Sequence, residues 1–269
     1  MLDIIDVKNL SFRYDEHFVF FRLLLKVKRG EWVSLIGPNG SGKSTLLKIL
    51  VGLLYNDSQI IIDNIRMNRE SLREIRKKIG FVMENVDDQL VTETVRSEIA
   101  FVLENLNYKS KEINSLVDEI AELFKINHLL ERDPHSLSGG EKQRVALASS
   151  LVFKPEILIL DESLSMVDAY QREEIFQILK SLQQSEGLTI INATQNIEET
   201  FYGERIIVLN KGEILLDGLT KEVLKKDKVF NRLGIEIPFI VDLSLKLNLY
   251  GLVEDLYLNI NDLVDAIWK

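Results

Sequence analysis

The stretch GPNGSGKST at residues 37–45 decides the fold, because it matches the pattern Gly-x-x-x-x-Gly-Lys-[Ser/Thr] at every position. It joins the apolar run WVSLI, a predicted strand, to TLLKILVGLL, a predicted helix. Glycines let backbone N–H groups converge on phosphate oxygens, and a helix start also favours anions. The predicted nucleotide contacts are Gly37, Asn39, Gly40, Ser41, Gly42, Lys43, Ser44 and Thr45.

Two side chains of this stretch have separate predicted roles. Lys43 should reach the β- and γ-phosphates of a nucleotide, and Ser44 should ligate Mg²⁺. A glycine-rich turn that matches by chance is the alternative, and the flanking strand and helix argue against it.

A second stretch, ILILDES at 157–163, places two carboxylates at the end of a buried apolar strand. Asp161 can hold Mg²⁺ through water, while Glu162 can orient and activate an attacking water. Alone, an Asp-Glu pair after a strand is more often a solvated turn. Together with residues 37–45, the pair predicts a magnesium-dependent nucleotide site.

A third stretch, LSGGEKQR at 137–144, begins a predicted helix with a hydroxyl and two glycines. Ser138, Gly139 and Gly140 would present a hydroxyl and bare N–H groups at the positive end of that helix, which suits an anion. A plain helix cap followed by a flexible turn is the alternative.

The composition bounds the remaining possibilities. Hydrophobic residues make up 46% of the 269 residues, which suits a globular protein with a substantial core. A formal net charge of −9 argues against a nucleic-acid-binding surface. With no Cys and 3 His, the sequence excludes disulfides and thiolate metal sites and leaves little for a His-rich one. No apolar run approaches the roughly 18 residues of a membrane-spanning helix.

The order of the three stretches, phosphate loop, LSGGE and then ILILDE, resembles the ATP-binding subunits of ABC transporters. The resemblance implies an α/β P-loop ATPase with an N-terminal antiparallel β subdomain, a helical subdomain carrying LSGGE and a small C-terminal helical region. It also implies ATP and Mg²⁺ as cofactors and ATP hydrolysis as the reaction. In that family two such domains pair head to tail, and the LSGGE of one chain closes over the ATP of the other.

The resemblance assigns two further residues to the nucleotide site. Tyr14 matches the aromatic residue that stacks on adenine, although a strand tyrosine packed in the core would look the same. Asp168 matches an aspartate whose loop lies across the dimer interface. A cap for the following helix is an equally natural role for Asp168, and the two roles are compatible.

Two positions depart from the family pattern. Glu84 replaces a glutamine that helps to sense Mg²⁺ and the membrane partner, and Gln195 replaces a histidine that contacts the γ-phosphate. An added carboxylate near phosphate and a lost imidazole should each weaken hydrolysis. In the alternative, Gln195 still bonds the γ-phosphate and Glu84 reaches Mg²⁺, so that the site is slower but competent. The catalytic carboxylate, Glu162, is intact.

Residues 84–106 and 233–247 also resemble segments of the A subunits of energy-coupling factor transporters, a group similar to cobalt and nickel importers. This narrower resemblance implies a second ATPase subunit, usually a non-identical homologue, with a homodimer as the alternative. It further implies a transmembrane coupling subunit and a small membrane protein that captures a vitamin or metal ion. The implied location is peripheral, on the cytoplasmic face of the cell membrane.

We therefore expect an ABC ATPase domain over 1–219, with a helical insert at about 84–150, and a C-terminal dimerisation region over 220–269. Pro238 should open one helix of that region and Asn261 should cap the last. A helix pair that only covers its own domain is the alternative to dimerisation. The apolar residues that favour dimerisation are Ile237, Phe239, Leu243, Leu247, Leu256 and Trp268.

Two other functions stay open at this level. A soluble ABC protein of translation or DNA repair usually has two nucleotide domains or a long coiled-coil insert, and the sequence predicts neither. The second alternative function is a non-hydrolysing ATP-binding module that regulates a partner, and the departures at Glu84 and Gln195 are compatible with it.

Overall fold

Ten strands and the helices between them are defined in the computed structural model, which describes residues 2–164 and 167–268. The outermost residues of the two expected domains, Met1 and Lys269, lie outside the described residues. The strands are β1 (Asp3–Tyr14), β2 (His17–Lys28), β3 (Trp32–Ile36), β4 (Gln59–Ile62), β5 (Ile65–Arg66), β6 (Ile79–Val82), β7 (Ile157–Asp161), β8 (Thr189–Thr194), β9 (Arg205–Asn210) and β10 (Glu213–Leu219).

The helices follow the chain between and after these strands. They are α1 (Lys43–Leu50), α2 (Leu72–Arg76), α3 (Val95–Asn105), α4 (Ser110–Leu123), α5 (Gly139–Leu151), α6 (Ala169–Glu186), α7 (Thr220–Leu224), α8 (Asp227–Arg232), α9 (Phe239–Leu249) and α10 (Ile260–Ile267). Within the described part of the chain, no helix is long and apolar enough to cross a bilayer.

The N-terminal sheet is antiparallel, as the family resemblance implies, and its strand order is β2-β1-β4-β5. β1 and β2 bury one face and expose the other, which is the alternation expected of a sheet packed on one side. Ile5, Leu10 and Phe20 on the buried face share one apolar cluster with Leu46 and Leu47 of α1. The sheet is thereby packed against the helix that follows the phosphate loop.

The second sheet has the order β10-β9-β3-β8-β7-β6, and all its neighbouring strands are parallel except β9 and β10. Every residue of β3, β7 and β8 is buried, because helices and the first sheet cover both faces. The carboxyl ends of parallel strands lie at one edge of a sheet. Since β3, β8 and β7 are neighbours, the loops after Ile36, Thr194 and Asp161 meet there, and the predicted α/β fold is confirmed.

Three helices between β6 and β7 form a layer that carries LSGGE. Val95 and Ile99 of α3, Val117 of α4 and Val145 of α5 are buried in one apolar cluster together with Leu160 of β7. This packing fixes the start of α5 relative to the strand that ends in Asp161.

Up to Trp268, the C-terminal region shares its apolar core with the second sheet. Val223 of α7 and Phe230 of α8 are buried against Ile36, Ile206 and Val208 of the second sheet. The secondary structure changes from strand to helix between Leu219 and Thr220, at the predicted division of the chain.

The two predicted helix starts of this region have different outcomes. Pro238 directly precedes α9, as predicted. The prediction for Asn261 was wrong, because Asn259 has the extended backbone of a cap and its side chain accepts the N–H of Asn261 at 2.7 Å. Asn261 lies in the first turn of α10 and is the donor rather than the cap.

Candidate active site

The loop after β3 wraps closely around the start of α1, which begins at Lys43. Gly42 precedes the helix with φ of 110°, a conformation that L side chains rarely adopt. A Cβ on Gly37 would lie 2.1 Å from the carbonyl oxygen of Leu209, so only glycine allows this approach to β9. The loop therefore turns tightly into α1, and the N–H groups at a helix start are the donors that an anion site requires.

The side chain of Lys43 is folded back onto this loop and is only 4% exposed. Its Nζ donates to the carbonyl oxygens of Gly37 at 2.7 Å and Pro38 at 3.3 Å. Its Nζ also lies 3.0 Å from Oε1 of Glu162, the residue that directly follows β7. A buried cation with one carboxylate partner is placed to bind phosphate oxygens instead.

Ser44 and Asp161 come together as the sequence predicts for a magnesium pair. The Ser44 hydroxyl donates to Oδ1 of Asp161 at 2.7 Å. Burial raises the pKa of Asp161, and the negative charge of Glu84 raises it further. The Ser44 hydrogen bond and the positive charge of Lys48 lower this pKa but do not cancel the increase. A cation would relieve that penalty. One carboxylate and one hydroxyl suit Mg²⁺, which keeps several waters and binds phosphates as further ligands.

Glu162 and Gln195 are brought into direct contact. Gln195 Nε2 donates to Oε2 of Glu162 at 2.8 Å and to Oδ1 of Asn39 at 2.8 Å. Glu162 has φ of 48°, an uncommon backbone for a residue with a side chain, and its N–H donates to the carbonyl of Ala193 at 2.9 Å. The carboxylate is thus held between the lysine of the phosphate loop and the amide at the end of β8.

Glu84 lies exposed just after β6, close enough for its charge to raise the pKa of Asp161. Across residues 2–164 and 167–268, no group of three or more Asp, Glu, His or Cys side chains is arranged to hold a metal ion. The metal role of Glu84 therefore stays a prediction, whereas its electrostatic effect on Asp161 is present.

The start of α5 combines a cap with an exposed surface. Both the N–H and the hydroxyl of Ser138 donate to the carboxylate of Glu141, at 2.8 and 2.6 Å. These two bonds hold the pKa of Glu141 below its ordinary value. Ser138 and Gly139 are exposed and Gly140 is partly exposed, so the cap leaves this helix end open to another molecule.

The two residues assigned from the family resemblance lie at the surface. Tyr14 is 47% exposed and packs in a T-shaped arrangement with Phe12, which argues against a core role. Asp168 caps α6 by accepting the N–H of Gln171 at 3.0 Å, and it is also exposed. The cap is confirmed, and it is compatible with the predicted position at a dimer interface.

Three polar residues support the site although no motif assigns them to nucleotide binding or catalysis. Gln89 accepts the N–H of Met83 at 3.1 Å and donates to the carbonyl of Phe81 at 3.3 Å, so it clamps the segment that carries Glu84. Arg172 follows Asp168 by four positions in the chain, and Glu199 follows Gln195 by four. The only sequence signal for these two residues is that each is charged and lies in a predicted helix or beside apolar residues.

Comparison with known proteins places this geometry in a family. The family model for ABC transporters matches residues 20–165. The energy-coupling factor transporter ATP-binding protein EcfA1 of Streptococcus pneumoniae is 40% identical over 100% of this chain and 99% of its own length. The protein of the same name from Oceanobacillus iheyensis is 38% identical over 98% of this chain and 96% of its own.

Solved structures agree with these relatives. CbiO1 of Clostridium perfringens, part of an ABC transporter complex, superposes with a TM-score of 0.77 at 32% identity, covering 90% of this chain and 98% of that one. A dimeric bacterial ABC transporter cassette gives a TM-score of 0.74 at 31% identity, covering 80% and 98%. The chain therefore belongs to the ABC transporter family of ATPases, within the group of energy-coupling factor transporter ATP-binding proteins.

Proposed function

We propose that this chain hydrolyses MgATP to drive a membrane importer of the energy-coupling factor type, for a vitamin or a metal ion. The observation that carries the proposal is the meeting of Lys43, Glu162 and Gln195 at one sheet edge, beside the pair of Ser44 and Asp161. The names of the relatives support the importer type. They do not favour a soluble protein of translation or DNA repair.

The residues divide the chemistry among themselves. The backbone N–H groups of the phosphate loop and Lys43 hold the phosphates, while Glu162 accepts a proton from the attacking water. Gln195 has no titratable proton, so its amide can orient Glu162 and a phosphate oxygen but cannot shuttle a proton. Ser44 and Asp161 would hold Mg²⁺, which neutralises phosphate charge when bound.

The departures from the family pattern support a slower site in this chain. Gln195, at the position of the family's histidine, contacts Glu162 through an amide that cannot relay a proton. Glu84 adds negative charge close to Asp161. The LSGGE surface carries no such change, so we propose that a partner site completed by it turns over faster.

We further propose a non-identical second ATPase subunit that pairs with this chain through residues 220–269. The described structure divides the apolar residues of this region into buried, half-buried and exposed ones, and Ile237, Leu243 and Leu247 are half-buried. Leu256 is buried in the chain's own core, whereas Phe239 and Trp268 are exposed. The other exposed apolar residues of the region are Leu249, Tyr250, Leu252, Ile260, Val264 and Ile267. Ile260, Val264 and Ile267 fall on one stripe of α10, as a packed interface requires.

We expect the double substitution Val264→Glu with Trp268→Glu to separate the nucleotide-free pair of ATPase subunits. These side chains are 42% and 84% exposed, so the change should spare the fold, while burying two carboxylates in an apolar contact is costly. The dissociation constant should rise by at least about tenfold, which light scattering across a dilution series would measure. Asn261→Glu, on the same helix, is the matched control. Removing residues 220–269 is a poorer test, because it would uncover Ile36, Ile206 and Val208.

Two outcomes of this measurement would contradict the proposed interface. If the double variant stays paired as firmly as the parent, or if the parent separates as readily as the variant, the exposed stripe is not the contact.

We propose that a helix of the transmembrane coupling subunit docks on the surface around Glu84–Gln89 and α3. Val91 and Phe101 are exposed there, whereas Val95 is core. Lys142 of α5 bonds Asp87 at 2.6 Å, which connects this surface to the LSGGE helix. A docking helix could therefore act on the partner's nucleotide through α5.

A photo-crosslinking residue at Asp88 should capture the coupling subunit in cells, identified as a multi-spanning membrane protein that co-purifies with the ATPase. Asp88 is exposed, whereas the side chain of Gln89 is bonded inside the chain and should be left unchanged. Glu70, exposed ahead of α2, is the control position. Capture of the same product from Glu70, or no membrane product from Asp88, would count against docking at this surface.

A further inference from the structure

The first turn of α6 is tied to the chain just before it by a guanidinium group. Arg172 Nη2 donates to the carbonyl of Val167 at 2.8 Å, one residue before the cap Asp168. Within the described residues, the Nε of Arg172 is buried and has no hydrogen-bond partner. The guanidinium group therefore makes its contacts through its two terminal nitrogens.

The other terminal nitrogen faces a buried glutamate on the segment that follows Gln195. Arg172 Nη1 lies 3.8 Å from Oε1 of Glu199, and the two side chains are 22% and 6% exposed. Burial raises the pKa of Glu199, and hydrogen bonds from Asn192 and Thr194 together with the charge of Arg172 oppose this. An ion pair at this depth is costly to break from one side, because the remaining charge stays buried.

Glu199 in turn braces the end of β8. Its Oε2 accepts the side-chain amide of Asn192 at 3.1 Å. The next residue, Ala193, accepts the backbone N–H of Glu162, and Gln195 then donates to the Glu162 carboxylate. The position of Glu199 is thus coupled to both the backbone and the side chain of Glu162.

The same turn of α6 also reaches the LSGGE stretch. A Cβ placed on Gly140 would lie 2.8 Å from Oε1 of Gln171, the residue before Arg172. The start of α6 therefore lies between two sites of the proposed pair. On one side is the LSGGE start of α5, which faces the partner's ATP, and on the other is the end of β8, which faces the chain's own ATP.

We propose that Arg172 and Glu199 are positioning residues: their contact fixes the segment of Asp168 against the segment of Gln195 and so aligns Glu162 for hydrolysis. This inference rests on the proposed ATPase function. Arg172 and Glu199 bear on the reaction through Asp168, Gln195 and Glu162 rather than by touching ATP. A purely structural ion pair is the alternative, and it makes a different forecast for the variant that removes both charges.

The decisive set is Arg172→Met, Glu199→Gln and the double variant, in the complex purified with a second ATPase subunit whose own catalytic glutamate is changed to glutamine. The turnover that remains is then that of the site that uses Glu162 of this chain. Each single change should lower kcat about tenfold and leave KM for ATP within about twofold, because binding contacts are untouched. Arg172→Met should also lower Tm, because it leaves Glu199 buried without its cation. The double variant should recover Tm but keep the tenfold loss of kcat. Arg73→Met, exposed on α2, should match the parent.

Three kinetic results would overturn the proposal. They are recovery of kcat together with Tm in the double variant, losses that multiply to about a hundredfold, and an unchanged kcat in the single variants. The first indicates a structural role, the second independent effects, and the third no role.

Amide hydrogen exchange tests the contact without relying on ATP turnover. Glu199→Gln should speed exchange at residues 167–172, and Arg172→Met should speed exchange at residues 192–199, because each variant frees the opposite segment. If exchange rises only beside the substituted residue, the contact does not hold the two segments together. A parent complex without ATPase activity would instead refute the proposed function, while these exchange data would still decide the inference.

Discussion

Replacing Lys43 with alanine is expected to weaken binding of MgATP on the order of a hundredfold, through the loss of about 3 kcal/mol of charged hydrogen bonds. The ammonium group is held at the phosphate loop by the carbonyls of Gly37 and Pro38. Its removal takes away the nearest cation and leaves Glu162 to repel the phosphates. Isothermal titration calorimetry with ATP and Mg²⁺ would measure the change.

Lys77→Ala is the matched control, because Lys77 is exposed just after α2 and its replacement removes the same charge from the chain. It should bind ATP as the parent does. A thermal scan of Lys43→Ala shows whether the variant is folded before its affinity is compared. A folded Lys43→Ala protein with parental affinity would mean that the assigned phosphate site is wrong.

Replacing Ser138 with arginine is expected to remove at least about nine tenths of the ATPase activity of the paired subunits, a loss of about 1.4 kcal/mol or more in the transition state. Ser138 opens α5 and is exposed, so an arginine there would project a bulky cation from the surface proposed to close over the partner's ATP. The lost bond from the hydroxyl to Glu141 would also weaken the helix start by about 1 kcal/mol. A steady-state ATPase assay measures the loss, and Ser185→Arg, exposed near the end of α6, is the control.

Glu162→Gln should lower the ATPase activity of the same pair much less, by about twofold or less, if the site built on this chain's phosphate loop is the slow one. The matching change in the non-identical partner should stop most turnover. Restoring the family residues with Gln195→His and Glu84→Gln should raise turnover at the site built on this chain's phosphate loop. If Glu162→Gln in this chain alone stops hydrolysis as fully as the partner's change does, the two sites are equivalent or obligately coupled, and the asymmetric proposal fails.

The strands and helices followed from local patterns because each pattern has a local cause. β3, β7 and β8 are short apolar runs bounded by polar or glycine residues, as buried parallel strands require. The hairpin of β9 and β10 turns at Lys211 and Gly212, which both have positive φ. The cap of α10 was misassigned because Asn259 and Asn261 are the same residue type two positions apart, and only the backbone separates cap from donor.

The site was predictable where a motif carries its own chemistry. The pairing of Ser44 with Asp161 and the contact of Glu162 with Lys43 join residues more than a hundred positions apart, and the motif order alone indicates that they belong together. The contact of Gln195 with Asn39 was not indicated, because a substituted residue has no pattern from which its hydrogen bonds follow.

The sequence by itself determined the phosphate loop, the paired carboxylates, the LSGGE helix start and the alternation of strands and helices, since these depend on the spacing of neighbouring residues. The tertiary structure decided the strand order β3-β8-β7, which brings three distant loops to one edge. It also decided which C-terminal apolar residues are core, and it placed Arg172 beside Glu199. These results depend on how whole elements pack, because burial and ion pairing arise between surfaces that spacing along the chain does not bring together.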